Sequence, residues 1–255
     1  MKTLFQADGS VIVITGGANG IGRALALACA EAGAIVVVCD LDAAAGSTLA
    51  ASHPNIEFQA LDVGDRAAVF QCFAAIEARH GAIDGLVCGA AIQPRIAVAD
   101  TPEAVWRQVM EVNLNGVVWC YQAAIGGMRQ RRRGAIVAFS SGLAASGYAG
   151  AAAYATTKAA LNAFVRSAAK EVASDRVRFN LIAPGVIDTP QYRAANPGAD
   201  NAHWARTTGI GGPEDVVGPL MFLLSDAATM TASLLSRDFA YAAADDARSA
   251  APSAT

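Results

Sequence analysis

Short apolar runs alternate along this chain with longer stretches whose apolar positions recur at helical spacing. Val11 to Ile14 and Ala34 to Cys39 are unbroken apolar blocks, the second closing on Asp40. Strands of a parallel sheet covered on both faces read this way, because neither face meets water. Ile56 to Ala60, Gly85 to Cys88, Gly134 to Phe139 and Val177 to Ile182 are further strand candidates. Between them the spacing predicts helices, notably from about Ile21 to Ala32, Thr101 to Ala124 and Ala152 to Ala173. Such alternation implies βαβ units, hence an α/β chain with a doubly wound parallel sheet and helices on both faces. Ligands of these sheets bind beyond the C-terminal strand ends. Asp40, Asp62, Cys88 to Ala91, Ser140, Ser141 and Pro184 to Thr189 all fall there.

The length of 255 residues, 54% of them hydrophobic, suits one domain with a sizeable core. Residues 1–241 read as a single nucleotide-binding domain, with 190–212 as a polar lid over the substrate and 242–255 as a fraying tail. A net charge of −3 removes the electrostatic case for nucleic acid. The basic run Arg129 to Arg133 reads as a solvated helix end, with a partner or phosphate contact as the alternative. Cys29, Cys39, Cys72, Cys88 and Cys120 are odd in number and form no C-x-x-C pair, which fits buried thiols in a reducing compartment. The start MKTLFQADGS lacks the apolar core of a signal peptide, and no run reaches the ~20 apolar residues of a membrane span. The expectation is a soluble, cytoplasmic protein with no membrane or nucleic-acid partner. His53, His80 and His203 do not cluster, so no metal is expected.

Thr15-Gly16-Gly17-Ala18-Asn19-Gly20-Ile21-Gly22 follows the first strand and opens a helix. Glycines let backbone approach a phosphate, and the helix N-terminus offers free N–H groups and a positive dipole end. Asp40, with Leu41 beside it, lies 18 residues beyond Gly22. A carboxylate there accepts from both adenosine ribose hydroxyls and repels a 2′-phosphate, which favours NAD over NADP; the plainer reading is a turn residue. Asp62 and Val63 read either as an adenine clamp or, for Asp62, as a helix N-cap.

Tyr154 and Lys158 share a helix face at i and i+4. A free phenol titrates near ~10, too high for a base at neutral pH, and a cation within ~4–6 Å lowers such a value. Lys158 is therefore expected to tune Tyr154 into a general base. Ser141, 13 residues earlier, is placed to hold the substrate oxygen. From spacing alone the plainer reading is an ordinary amphipathic helix with a surface Lys and a partly buried Tyr.

Taken together, Thr15–Gly22, Asp62-Val63, Asn113 in VNLNG, Ser141, Tyr154-x-x-x-Lys158 and Pro184-Gly185-x-x-x-Thr189 resemble the short-chain dehydrogenase/reductase family of the classical type, from about Val11 to Leu235. The resemblance implies a Rossmann-like sheet of about seven strands and an NAD-dependent oxidoreductase that reversibly oxidises a secondary alcohol to a ketone. It makes Tyr154 the acid/base, Ser141 the substrate orienter and Lys158 a ligand of the nicotinamide ribose. It gives Asn113 a water that passes protons to solvent. Gly16, Asn19, Gly20, Ile21, Gly22, Gly89, Ala90, Pro184, Gly185, Ile187 and Thr189 join Asp40, Leu41, Asp62 and Val63 in the cofactor site. The substrate pocket is expected around Gln93, Pro94, Arg95, Leu143, Ala144 and Tyr148, with Tyr192 and Trp204 stacking on a ring and Arg95 or Arg193 meeting a carboxylate.

Two departures stand out. Cys88-Gly89-Ala90-Ala91 replaces Asn-Asn-Ala-Gly, and Asp238-Phe239-Ala240 replaces Asp-Gly-Gly, near a strand that helps such proteins form tetramers. A homotetramer or homodimer is expected, through the helices around Thr101–Ala124 and Ala152–Ala173. Two alternatives stand beside the dehydrogenase: an NADP-type 3-oxoacyl thioester reductase of the same family, and a non-catalytic nucleotide-binding regulator.

Overall fold

The computed structural model describes residues 6–198, 201, 204 and 209–237. Seven parallel strands form one sheet in the order β3-β2-β1-β4-β5-β6-β9. They are β1 (Val11–Thr15), β2 (Ile35–Asp40), β3 (Ile56–Ala60), β4 (Gly85–Cys88), β5 (Gly134–Phe139), β6 (Val177–Ala183) and β9 (Leu234–Ser236). A separate parallel pair, β7 (Val186–Ile187) and β8 (Ile210–Gly211), lies between β6 and β9 in the chain.

The two-residue period of each strand divides its side chains between two cores. Val11, Val13, Val37, Cys39, Ile136 and Ala138 enter one core, with Phe73 of α3 (Arg66–His80), Tyr121 of α5 (Gly116–Arg131) and Leu161 of α7 (Ala152–Val172). Ile12, Ile14, Val36, Val38 and Val137 enter the other, with Leu25 of α1 (Gly20–Glu31), Leu49 of α2 (Ala43–Ser52) and Leu220 of α9 (Val217–Leu224). This is why β1 and β2 read as unbroken apolar runs, whereas β3, at the edge of the sheet and partly exposed, carries Glu57 and Gln59. Two short helices, α6 (Leu143–Ser146) and α8 (Pro190–Ala195), border the sheet's C-terminal edge.

The predicted helix Thr101 to Ala124 begins as α4 (Glu103–Met110), widens into a π turn at Glu111–Asn115 and runs on as α5 to Arg131. Arg132 ends it in the left-handed conformation, φ 54°. The basic run is held by the protein itself: Arg129 pairs with Asp175 at 2.7 Å, Arg131 donates to the Ile83 carbonyl and Arg132 to that of Ser174. All five cysteines are free thiols.

Chain order reverses between β1 and β4, and Thr15 stands opposite both Cys39 and Cys88. The segments leaving β1, β2 and β4 therefore share one edge of the sheet, the place where such sheets open a crevice. Among the described residues, no helix is long and apolar enough to cross a membrane. The predicted tail 242–255 and Asp238-Phe239-Ala240 lie outside the described residues.

Candidate active site

The crevice is built first from backbone. Gly16 has φ +67°, a conformation that strains any residue with a side chain, and a Cβ there would sit 2.6 Å from the Ala90 nitrogen. Gly89 N donates to the Thr15 carbonyl at 3.0 Å, and a Cβ on Gly89 would lie 2.8 Å from that oxygen. The first turn and the loop after β4 thus pack main chain against main chain. Cys88 is buried beside Cys120, a small apolar residue in the core.

Helix α1 starts at Gly20, and the side chain of its N-cap, Asn19, makes no capping bond. It donates instead to Asp42 Oδ2 at 3.1 Å. The first-turn N–H groups, at the positive end of the dipole, are left for an anion. A Cβ on Gly22 would strike the Gly16 carbonyl, so the helix can approach the turn only with glycine there. At the far side Asp40 accepts from Ala18 N and from Asp42 N, each at 3.0 Å. Asp42 N-caps α2, and the Ala45 N–H is the main cause holding its carboxyl below the usual range, with Asn19 adding to it. Asp62 accepts from Gly64 N at 2.8 Å, whereas the N-cap of α3 is Asp65. A glycine cradle at a free helix end, with fixed carboxylates at the end of β2, fits a dinucleotide.

These groups line one cleft of about 1730 Å³, well above the roughly 300–1000 Å³ of an ordinary small-molecule pocket. Gly16, Asn19, Gly20, Ile21, Gly22, Asp40, Leu41, Asp62, Val63, Gly89, Ala90, Pro184, Gly185, Ile187 and Thr189 all line it, as do Ser141, Tyr154, Lys158, Gln93, Arg95, Leu143, Tyr148, Tyr192 and Trp204. Pro94, Ala144 and Arg193 do not. Arg193 is tied to Asp188 by two 2.7 Å bonds, which remove it as a free cation. Thr189 also N-caps α8, accepting from Tyr192 N at 3.1 Å. Of the predicted lid, α8 and residues 209–212 are described, while 199–200, 202–203 and 205–208 are outside.

Lys158 and Tyr154 stand on the cleft side of α7. Lys158 is only 3% exposed; Nζ donates to the Phe139 carbonyl at 2.9 Å and lies 5.5 Å from the centre of the Tyr154 ring. Burial pushes the ammonium down to about 8, opposed by the nearby Cys88. The expected lowering of the Tyr154 pKa by Lys158 is corrected here. Burial raises the phenol above its usual value, and the opposing influences are a hydrogen bond with Ser141 and the charge of Arg95. Desolvation outweighs a cation that sits over the ring rather than at the hydroxyl. Ser141 Oγ also accepts from Leu143 N at 3.2 Å, which fixes its position just beyond β5.

Asn113 stands apart from the other predicted site residues. It is fully buried in the π turn and does not line the cleft. Its Oδ1 accepts from Ile92 N and its Nδ2 donates to Ile92 O, both at 2.8 Å, with Thr157 Oγ1 at 3.4 Å. The carboxamide braces the loop that carries Gln93 and Arg95 against α7. Residues missed in the sequence include Asp42, Gln191, which donates to the Ala91 carbonyl at 2.8 Å, and Asn196, which accepts from Arg95 at 3.0 Å. An Asp two residues past a strand end was a legible cap signal for Asp42; nothing local marked the other two.

The family model described as short chain dehydrogenase matches residues 10–200. The chain is 37% identical over 242 residues to a cis-4-hydroxycyclohexanecarboxylate dehydrogenase of Sinomonas cyclohexanicum, spanning 91% of this chain and 96% of that one. It is 35% identical over 237 residues to a 2-keto-3-deoxy-L-fuconate dehydrogenase of Xanthomonas campestris pv. campestris, spanning 89% of this chain and 77% of that one. Among solved structures, levodione reductase superimposes with a TM-score of 0.85 at 25% identity, covering 91% of this chain and 97% of that one. Fold, cleft and sequence agree that the chain belongs to the short-chain dehydrogenase family of oxidoreductases.

Proposed function

We propose that this protein is an NAD-dependent dehydrogenase that reversibly oxidises a secondary alcohol to a ketone, with Tyr154 as the acid/base. The observation that carries it is the convergence of Ser141, Tyr154 and Lys158 on the wall of the cleft whose other end is the glycine turn. The bound nicotinamide supplies the acceptor for the hydride that leaves the carbinol carbon. Tyr154 takes the hydroxyl proton, and Ser141 holds the same oxygen while charge shifts on it. Lys158 uses one of its three N–H groups on Phe139, leaving two for ribose hydroxyls. Asp40 and Asp42 set two carboxylates at the end of β2, and their negative charge disfavours a 2′-phosphate, which supports NAD.

With its phenol raised by burial, Tyr154 rests protonated. It is thus ready to donate in the ketone-reducing direction and must lose its proton before it oxidises. The test follows reduced nicotinamide by absorbance, with NAD and a panel of cyclic, aromatic and open-chain secondary alcohols. Tyr154→Phe should lose roughly 10²–10⁴ in kcat while binding NADH as the wild type does. Undiminished turnover by that variant would overturn the assignment.

A further inference from the structure

Arg95, on the loop after β4, lines the cleft, and its guanidinium is shielded from solvent. One N–H group, on Nη2, is satisfied by Asn196 Oδ1 at 3.0 Å. Among the described residues, Nε and Nη1 are buried with no hydrogen-bond partner and no carboxylate pairs with the group. A guanidinium does not shed its proton in a protein. Burying a charge without compensation is costly, so such groups are ordinarily paired. The structure therefore holds an unmet positive charge inside its own cleft.

The position says what should meet it. The glycine turn is at the other end of the cleft, whereas Arg95 stacks over Tyr148, 4.9 Å to the ring centre, and is bonded to Asn196 beyond α8. Its charge acts on Tyr154, so it lies beside the reacting end. Arg107, also on the lining, is paired with Glu103 at 2.7 Å, and Arg193 is held by Asp188. Asn196 uses a single Nη2 hydrogen. Whichever one it takes, either the Nε/Nη2 edge or the Nη1/Nη2 edge of the guanidinium keeps both prongs. A two-pronged donor of unit charge beside aromatic rings matches a carboxylate on a hydrocarbon body. Tyr148 is 52% exposed, so its ring can swing off the guanidinium to admit one.

We infer that Arg95 anchors a carboxylate of the substrate, so that the alcohol oxidised is a hydroxy acid whose hydroxyl reaches Tyr154 and Ser141. This rests on the dehydrogenase reading for the hydroxyl but not for the anion. The binding test uses the full chain with NAD and two unreactive probes, cyclohexanecarboxylate and cyclohexanecarboxamide, titrated by calorimetry. The acid should bind on the order of 100-fold more tightly than the amide, the scale of a desolvated charge pair. Arg95→Met should reduce the acid to the level of the amide and leave the amide unchanged. Arg95→Lys should keep part of the preference. Without ligand, Arg95→Met should melt no lower than wild type, because it removes an uncompensated cation. Equal binding of the two probes by wild type would overturn the inference, as would an Arg95→Met variant that keeps its preference for acid or that melts several degrees lower. Kinetics with 4-hydroxycyclohexanecarboxylate and cyclohexanol separate the two claims. Turnover of both without preference for the acid defeats the anchor and leaves the dehydrogenase. Arg95-dependent binding of acid with no turnover of any alcohol defeats the dehydrogenase and leaves the anchor.

Discussion

Lys158→Met tests the electrostatic state of the cleft without any substrate. The lysine ammonium titrates at about 8 in the folded protein against an ordinary 10.5, with burial as the main cause. An unfolded lysine keeps its proton up to the higher value. Between the two pH values the unfolded chain therefore binds one more proton than the folded chain, and raising the pH favours folding. A shift of about 2.5 units, at ~1.36 kcal/mol each, amounts to roughly 3 kcal/mol. This contribution is complete above pH ~10.5 and is lost as the pH falls to ~8. Methionine removes the titration and deprives the Phe139 carbonyl of its donor, a loss that does not depend on pH. Urea unfolding of the cofactor-free wild type and Lys158→Met, from pH 7 to pH 10, gives the stability difference at each pH by linear extrapolation. Ionisable groups remote from Lys158 are common to both proteins and cancel. By pH 9.5 the wild type should have gained roughly 2 kcal/mol on the variant. A difference that stays flat with pH, or one that moves the other way, would refute the assignment of a desolvated ammonium.

The raised phenol of Tyr154 predicts that alcohol oxidation climbs with pH from 7 towards 10 in initial-rate measurements, while ketone reduction is favoured at the lower end; a flat oxidation profile with chemistry rate-limiting would contradict it. Asn113→Leu strands the N–H and carbonyl of Ile92 and should cost roughly 2–5 kcal/mol in chemical denaturation. It should also weaken substrate binding through the Arg95 loop more than cofactor binding. Wild type should favour NAD over NADP by at least about tenfold, and Asp40→Ser should narrow that ratio, as measured by kcat/KM for each cofactor; the serine keeps too few acceptors for Ala18 and Asp42, so some loss with NAD accompanies it.

Much of this architecture is visible locally. Gly85–Cys88 and Gly134–Phe139 are strands over the predicted residues, because both faces are buried and charge or glycine marks an end, and the edge strand Ile56–Ala60 matches through its alternation of apolar and polar residues. The long helix before β5 runs past Ala124 because Gly126 and Gly127, which resemble a stop, are accommodated inside it; at Gly127 a side chain would strike Glu77. Spacing puts Tyr154 and Lys158 on one face and Ser141 at a strand end, but only the resemblance joins the three into one site. What escaped depends on distance. Asn113 meets Ile92 21 residues away, Arg95 meets Asn196 101 residues away, and neither has a local signature. The sign of the Tyr154 shift escaped for the same reason. An i, i+4 rule reports the neighbouring cation but not the desolvation that the assembled fold imposes.

The π turn at Glu111–Asn115 constrains how this region can change over evolution. Each residue of an α-helix advances the chain by ~100°, and a widened turn absorbs surplus rotation between its two flanks. Val109 above it and Val117, Cys120, Tyr121 and Ala124 below it all face inward. Excising one residue would close the turn to plain α-helix and keep Val109 and Val117 on one face, so the core tolerates the loss. The cost falls instead on Asn113, whose carboxamide ties the loop carrying Arg95. A single-codon loss here would therefore spare the sheet's packing and unfasten one wall of the cleft.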